Sequence, residues 1–122
     1  LHRMQSAYGT EGTDVIACIG PGISLDSFEV GDEVYEAFRT ENFPMEYISV
    51  WKPETHKYHI DLWAANRLQL SDFGVPPRQI ENAGICTYRQ HEDFFSARRL
   101  GIKSGRILSG IMLNGQEKGE RK

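Results

Sequence analysis

Long apolar runs are missing from these 122 residues. No stretch approaches the ~18 consecutive apolar residues that a membrane-crossing helix needs, so no membrane partner is expected. Leu1-His2-Arg3 is not followed by the apolar segment of a secretory leader. Positive charge is not in excess either: 14 Lys and Arg face 17 Asp and Glu, a formal net charge of -3. That balance gives no electrostatic reason to expect nucleic acid as a partner. Cysteine is scarce. Cys18 and Cys86 both sit in apolar, strand-like runs and read as reduced core thiols of a cytoplasmic protein, not as a disulfide framework. CxxC spacing and a helical i,i+4 His pair are absent, as are GxGxxG and a Walker lysine, so neither a metal site nor a nucleotide fingerprint can be assigned from spacing.

What remains is ordinary for a globular chain. The composition is 39% hydrophobic and 25% charged, and the length suits one domain with a core but not two. Leu1, Met4, Ala7 and Tyr8 fall at helical spacing and Gly9 supplies a C-cap. No N-cap and no initiator Met precede that helix, so further sequence is expected upstream. Residues 14–19 (DVIACI) read as a buried strand entering the tight turn Gly20-Pro21-Gly22. Residues 27–30 are extended, and Asp32 and Glu33 open a helix whose inner face is Val34, Tyr35 and Phe38. Residues 40–46 are irregular, and 47–51 and 57–60 read as strands. Asp61 N-caps a helix with Leu62, Ala65 and Leu68 or Gln69 on one side; it runs to Phe73 and is stopped by Gly74 and Pro76-Pro77. Residues 80–87 form a further strand, and 88–99 include a short helix. After a turn at Ser104-Gly105, residues 106–113 alternate with both faces apolar, which predicts a central strand. Residues 114–122 are a polar, frayed tail. No repeat or internal linker interrupts the pattern.

Three blocks carry a family resemblance. Ile19-Gly20-Pro21-Gly22-Ile23-Ser24 with Phe28-Glu29-Val30-Gly31-Asp32-Glu33-Val34 is the first. Lys57-Tyr58-His59-Ile60-Asp61-Leu62 with Asn66-Arg67 and Leu70 is the second. The third joins Cys86-Thr87-Tyr88, Phe94-Phe95-Ser96, Arg98-Arg99 and Gly105-Arg106. Together, in order and spacing, they resemble the C-terminal half of the YfiH-type laccase-domain family, from about Ile16 to Leu113. The resemblance implies an α/β fold, a layered mixed-sheet sandwich like the catalytic domain of cytotoxic necrotizing factor, incomplete here. Residues 1–113 would be the C-terminal half of the domain. The family's members have been described as purine nucleoside phosphorylases with adenosine deaminase activity, as polyphenol oxidases, and as peptidoglycan editing factors. The resemblance further implies a zinc ion held by two His and one Cys in "ADCxP" and "CHAGWRG" blocks. Neither block occurs in this sequence, and both are expected upstream of Leu1. Copper is the weaker choice, since no His-Cys-Met set at blue-copper spacing occurs.

The candidate substrate-binding residues are therefore Ser96, Arg98, Arg99, Phe95 and Pro21. Arginine presents a planar fork of donors that matches phosphate oxygens, and the Ser96 hydroxyl adds another. Arg98 or Arg99 would hold phosphate, and the Phe94-Phe95 pair would flank a purine ring. The plainer reading makes the phenylalanines core and pairs one arginine with a surface carboxylate. Pro21 lies where α/β sheets place ligands, at a strand's C-terminal end; the plainer reading is a tight turn that positions Phe28 and Val30. Cys86, five residues before His91, reads as an inert core thiol, not a nucleophile. His56 and His59 are three apart on a strand and so point to opposite faces, a poor metal pair. Two functions follow: the C-terminal part of a zinc-dependent purine nucleoside phosphorylase or adenosine deaminase-like enzyme, with purine nucleoside and phosphate as its partners and inactive without its N-terminal half, or an inactive module that self-associates or binds a partner.

Overall fold

Local chemistry sets the longest helix. In the computed structural model, which describes residues 1–112, Asp61 Oδ1 accepts the Ala64 N–H at 3.0 Å. This satisfies one of the donors that the first turn leaves free. The helix spans Leu62–Phe73 and ends on Gly74 at φ 110°, whose N–H returns to Leu70 and Ser71 carbonyls. It is preceded in chain order by α1 (His2–Tyr8), β1 (Ala17–Ile19), β2 (Glu29–Val30), α2 (Asp32–Thr40), α3 (Met45–Ile48), β3 (Ser49–Lys52) and β4 (Lys57–Ile60). As α4, it is followed by β5 (Ile80–Asn82) and α5 (Ala97–Leu100).

The strands form two small sheets, one parallel and one antiparallel, in a mixed α/β fold. The antiparallel sheet has the order β2-β4-β3, with Val30 opposite Tyr58 and Ser49 opposite Ile60. Its inner face packs on α2, α3 and α4 around Val30, Met45, Ile48, Ile60 and Ala65. Ile48 and Ile60 are fully enclosed, and each contributes about 2 kcal/mol of apolar burial. Val34, Tyr35 and Phe38 of α2 close this core as expected, with Tyr35 stacked on Tyr58 at 4.0 Å between ring centroids. On α4, Leu68 packs inward while Gln69 is exposed.

In the other sheet β1 and β5 run parallel, Ala17 opposite Ile80 and Ile19 opposite Asn82. Ile19, Val75 and Ile80 form a second core beneath α4, with Trp63, Leu70 and Phe73 against it. The pairing continues past the strand ends, where Gly22 bridges Cys86, Gly22 N–H donates to Ile85 O at 3.1 Å, and Thr87 N–H donates to Gly22 O at 3.2 Å.

Several sequence expectations are corrected here. The apolar run at 14–19 is not buried on both faces: only its last three residues form β1, and Ile16 and Cys18 are exposed. Among the described residues α4 covers one face of this two-stranded sheet and nothing covers the other, so an apolar run does not become a buried one. Cys18 is thus not a core thiol. The strand expected at 47–51 begins two residues later, because Pro44 starts the helical turn α3 and leaves Tyr47 exposed. The strand expected at 80–87 is regular only to Asn82; Gly84, at φ 70°, turns the chain before the Cys86 bridge. Residues 106–112 form no strand, and Leu108 is 97% exposed. Alternation fits a strand for a sheet, but no described strand pairs with it. Leu113 and the 114–122 tail lie outside the described residues.

Candidate functional site

The continued pairing of the β1 and β5 segments brings Gly20-Pro21-Gly22 beside Cys86-Thr87, just beyond the C-terminal ends of the two parallel strands. In α/β sheets this is where ligands bind. A cleft of ≈ 380 Å³ opens there. Pro21, Gly22 and Phe28 line one part of it, Thr87 a second, and Phe95, Ser96 and Arg98 a third. Arg106 and Ile107 complete its wall.

Four of the five residues singled out from sequence therefore converge: Pro21, Phe95, Ser96 and Arg98. Phe95 is half exposed and Phe94 partly buried, so the pair is split between cleft and packing rather than lost to the core. Ser96 is buried and N-caps α5, its Oγ accepting the Arg99 N–H at 3.4 Å. Arg98 donates through Nη1 to Glu29 O at 2.9 Å, and its guanidinium carbon lies 5.2 Å from the Phe28 ring centroid. One donor and one flat face are thereby used for positioning, which leaves the remaining donors of the fork for a ligand.

Arg99 goes elsewhere. Its Nε donates to Tyr88 O at 2.9 Å and its guanidinium stacks 4.1 Å over the Tyr88 ring. It does not line the cleft. Neither arginine forms an ion pair among the described residues, so the surface-carboxylate alternative does not describe either of them. Consecutive residues on a helical turn point about 100° apart, which is why adjacent arginines cannot share one ligand site here.

The sequence profile of the family described as multi-copper polyphenol oxidoreductase laccase matches residues 1–114. The chain belongs to this laccase family. It is 66% identical over 114 residues to a purine nucleoside phosphorylase of Bacteroides thetaiotaomicron, covering 93% of this chain and 42% of that protein. An adenosine deaminase from an unknown prokaryotic organism is 53% identical over 95 residues, covering 78% of this chain and 36% of its own. Among solved structures, the crystal structure of Bacillus licheniformis hypothetical protein YfiH superimposes with a TM-score of 0.70 at 30% identity, over 80% of this chain and 37% of that one. The chain thus spans less than half the length of the curated relatives it matches.

Within this laccase-family fold the three sequence blocks have separate tasks. The first and third face one another across the cleft. The second lies in β4 and the start of α4: Asp61 is a cap, and His59 is buried with Nδ1 2.9 Å from Leu25 O and Nε2 3.9 Å from Glu29 Oε1. His56 lies in the β3–β4 turn at φ 54°, outside β4, so the two histidines do not lie along one strand as their spacing was read. The family's description makes it metal-associated. Among the described residues, however, no three His, Cys, Asp or Glu side chains come together as a metal-holding group.

Cys86 is buried as expected, yet its surroundings favour the thiolate. Ser24 donates to Sγ twice, from its hydroxyl at 3.1 Å and its backbone N–H at 3.3 Å, and the Ser27 hydroxyl stands 3.7 Å away. Burial raises the thiol's pKa, but hydrogen bonding with Ser24, the Arg89 backbone and Ser27 outweighs it and brings it down from 9.0 to about 7. The sulfur's side-chain partners are serines; no hydrogen bond to His91 forms among the described residues. Reading Cys86 as an inert core thiol missed these partners because Ser24 lies 62 residues away in the chain. With Cys18 replaced by serine, the rate of Cys86 alkylation by iodoacetamide is expected to rise through a midpoint near pH 7. The Ser24→Ala variant should move that midpoint upward, since it removes a bond to the charged form. A midpoint near the ordinary thiol value in both proteins would refute this account.

Proposed function

We propose that this chain supplies the nucleoside- and phosphate-binding part of a purine nucleoside phosphorylase, residues 1–113 being the C-terminal half of its catalytic domain. The observation that supports this most directly is the placement of Arg98 beside Phe95 and Ser96 in one cleft, in a chain 66% identical to a purine nucleoside phosphorylase. Phe95 offers an exposed ring for a purine face, and Arg98 with Ser96 offers donors to phosphate oxygens. Pro21 closes the opposite wall. Arg99 orders the chain around Tyr88 instead of contacting substrate.

In phosphorolysis a phosphate oxygen forms a bond to the ribose anomeric carbon. The bond from that carbon to the purine nitrogen breaks, and its electron pair leaves with the base, which then takes up a proton. This cleft's contribution is to hold the attacking dianion and the ring in register, which lowers the entropic part of the barrier. In our reading zinc rather than copper is the metal of the whole enzyme, held by residues outside this chain. The described residues do not fit a metal, and none of the chemistry above runs through one.

A second reading has its own support. Leu108 and Ile111 are more than nine-tenths exposed, as an inactive module that pairs with itself or a partner would require. The test is to read the coding frame upstream of Leu1 and express the whole frame. Phosphate-dependent release of hypoxanthine from inosine by that protein, and none by the 122-residue chain alone, is the expected result. Cleavage by neither, with a stable dimer of the short chain in light scattering, would replace the enzymatic reading with the second one.

A further inference from the structure

Thr87 and Arg106 belong to none of the residues assigned so far, yet both line the cleft that holds Arg98 and Ser96. Thr87 is 7% exposed. Its backbone N–H is committed to Gly22 O, while its hydroxyl has no hydrogen-bond partner among the described residues. That hydroxyl is not sealed off, since the fully buried side-chain polar atom left without a partner among the described residues is Trp63 Nε1; the hydroxyl reaches the cleft, where a ligand can meet it. Arg106 is held only by its own turn: Nη1 donates to Ser104 O at 2.5 Å and to Gly105 O at 3.2 Å. Neither Arg98 nor Arg106 meets a carboxylate among the described residues.

The segment carrying Arg106 is seated by a close approach. A Cβ on Gly105 would stand 2.8 Å from Phe95 Cζ and 2.9 Å from both Cε atoms. With glycine the backbone lies on the ring face, where a side chain would have to push the half-exposed Phe95 ring aside, and that contact brings the next residue, Arg106, to the cleft wall. The cleft thus has hydroxyls from two buried residues, Thr87 and Ser96, and two guanidinium groups on its wall that meet no carboxylate among the described residues. Two arginine forks with short hydroxyl donors are the donor set for a tetrahedral dianion.

We propose that Thr87 and Arg106 complete a phosphate subsite with Arg98 and Ser96, Thr87 donating to one oxygen from below and Arg106 neutralising the anion from the Gly105 segment. The choice of phosphate rests on the phosphorolytic reading above. The shared chemistry is a phosphate dianion, either free or as the ester of a sugar 1-phosphate.

The test titrates the protein of the whole reading frame with inorganic phosphate and, separately, with ribose 1-phosphate, following ³¹P line broadening. Inosine affinity is measured in parallel. Thr87→Val removes the hydroxyl at constant shape, and Arg106→Gln removes the charge. Each is expected to weaken at least one of the two phosphates about tenfold, the equivalent of one lost charge-assisted or enclosed hydrogen bond. Inosine affinity should change less than about twofold, a difference within ordinary surface effects. Thr87→Ser, which keeps the hydroxyl, should bind phosphate as the unsubstituted protein does. Arg106→Lys should fall between, keeping charge but losing the fork. Phosphate binding with these losses but without nucleoside cleavage would sustain the subsite and sink the phosphorolytic reading. Nucleoside cleavage with phosphate affinity unchanged in both Thr87→Val and Arg106→Gln, or no phosphate binding at all, would overturn the subsite.

Discussion

Placing alanine at Gly12 is expected to destabilise the fold by about 3 kcal/mol, near the upper end of what one added methyl costs in a closed site. Gly12 is buried at the start of the turn that follows α1, and its Cβ would collide with the backbone of Gly74. Backbone cannot swing aside as a side chain can. Gly74 is moreover fixed by its own φ of 110° and by its N–H bonds to α4. The two segments are also tied by Gln79, whose Nε2 donates to Val15 O at 2.6 Å and Thr13 O at 3.2 Å. Relief of the clash would have to move the turn that leads into β1, and with it the second core. For the longer whole-frame protein the loss corresponds to a fall of roughly 6–12 °C in the melting temperature. Gly110→Ala is the matched control, because nothing lies within 4 Å of a Cβ there. Calorimetry of the two variants in the whole-frame protein should separate them by most of that interval. Equal melting temperatures would show that Gly12 and Gly74 are not in contact.

The Gly12–Gly74 contact also shows where sequence reading stops. Gly74 was legible as the end of α4, since a C-cap glycine followed by prolines is a local signal. That the same glycine must admit Gly12, 62 positions earlier, is not written in either neighbourhood. The same divide runs through the rest of the fold. The Asp61 cap, the Gly9 stop and the inner face of α2 follow from spacing and capping. The burial of 14–19 and the strand at 106–113 did not follow, because a strand's apolar alternation says which faces suit a core but not what covers them. Ile16 and Leu108 are apolar and exposed for that reason.

The site divides likewise. Pro21, Phe95, Ser96 and Arg98, singled out from the family blocks, line one cleft. Thr87 and Arg106 sit in the same blocks and were passed over; a threonine after an apolar run gives no local sign that it will line a cleft. Cys86 was read as inert because its own segment is apolar. The serines that stabilise its thiolate come from the loop after Gly20-Pro21-Gly22. Parallel pairing of β1 with β5 is what joins them, and parallel pairs connect segments far apart in the chain.

That pairing also decides which arginine matters. In the whole-frame protein Arg98→Ala is expected to lower kcat/KM for phosphate about 100-fold, near 2.7 kcal/mol of lost stabilisation for one charged donor in a cleft. Arg99→Ala should leave it within about threefold, because its guanidinium is spent on Tyr88 O and the Tyr88 ring. Arg98 also bonds Glu29 O and covers Phe28, so some of its effect is positional. Arg98→Lys separates the two contributions. Lysine keeps the charge but has no planar fork with which to bond Glu29 O and phosphate together, so phosphate KM should rise while inosine KM holds. A purely structural Arg98 would raise both KM values in parallel and lower the melting temperature as well. Equal losses from Arg98→Ala and Arg99→Ala would mean that the cleft, as drawn by Thr87, Ser96 and Arg98, is not where phosphate binds.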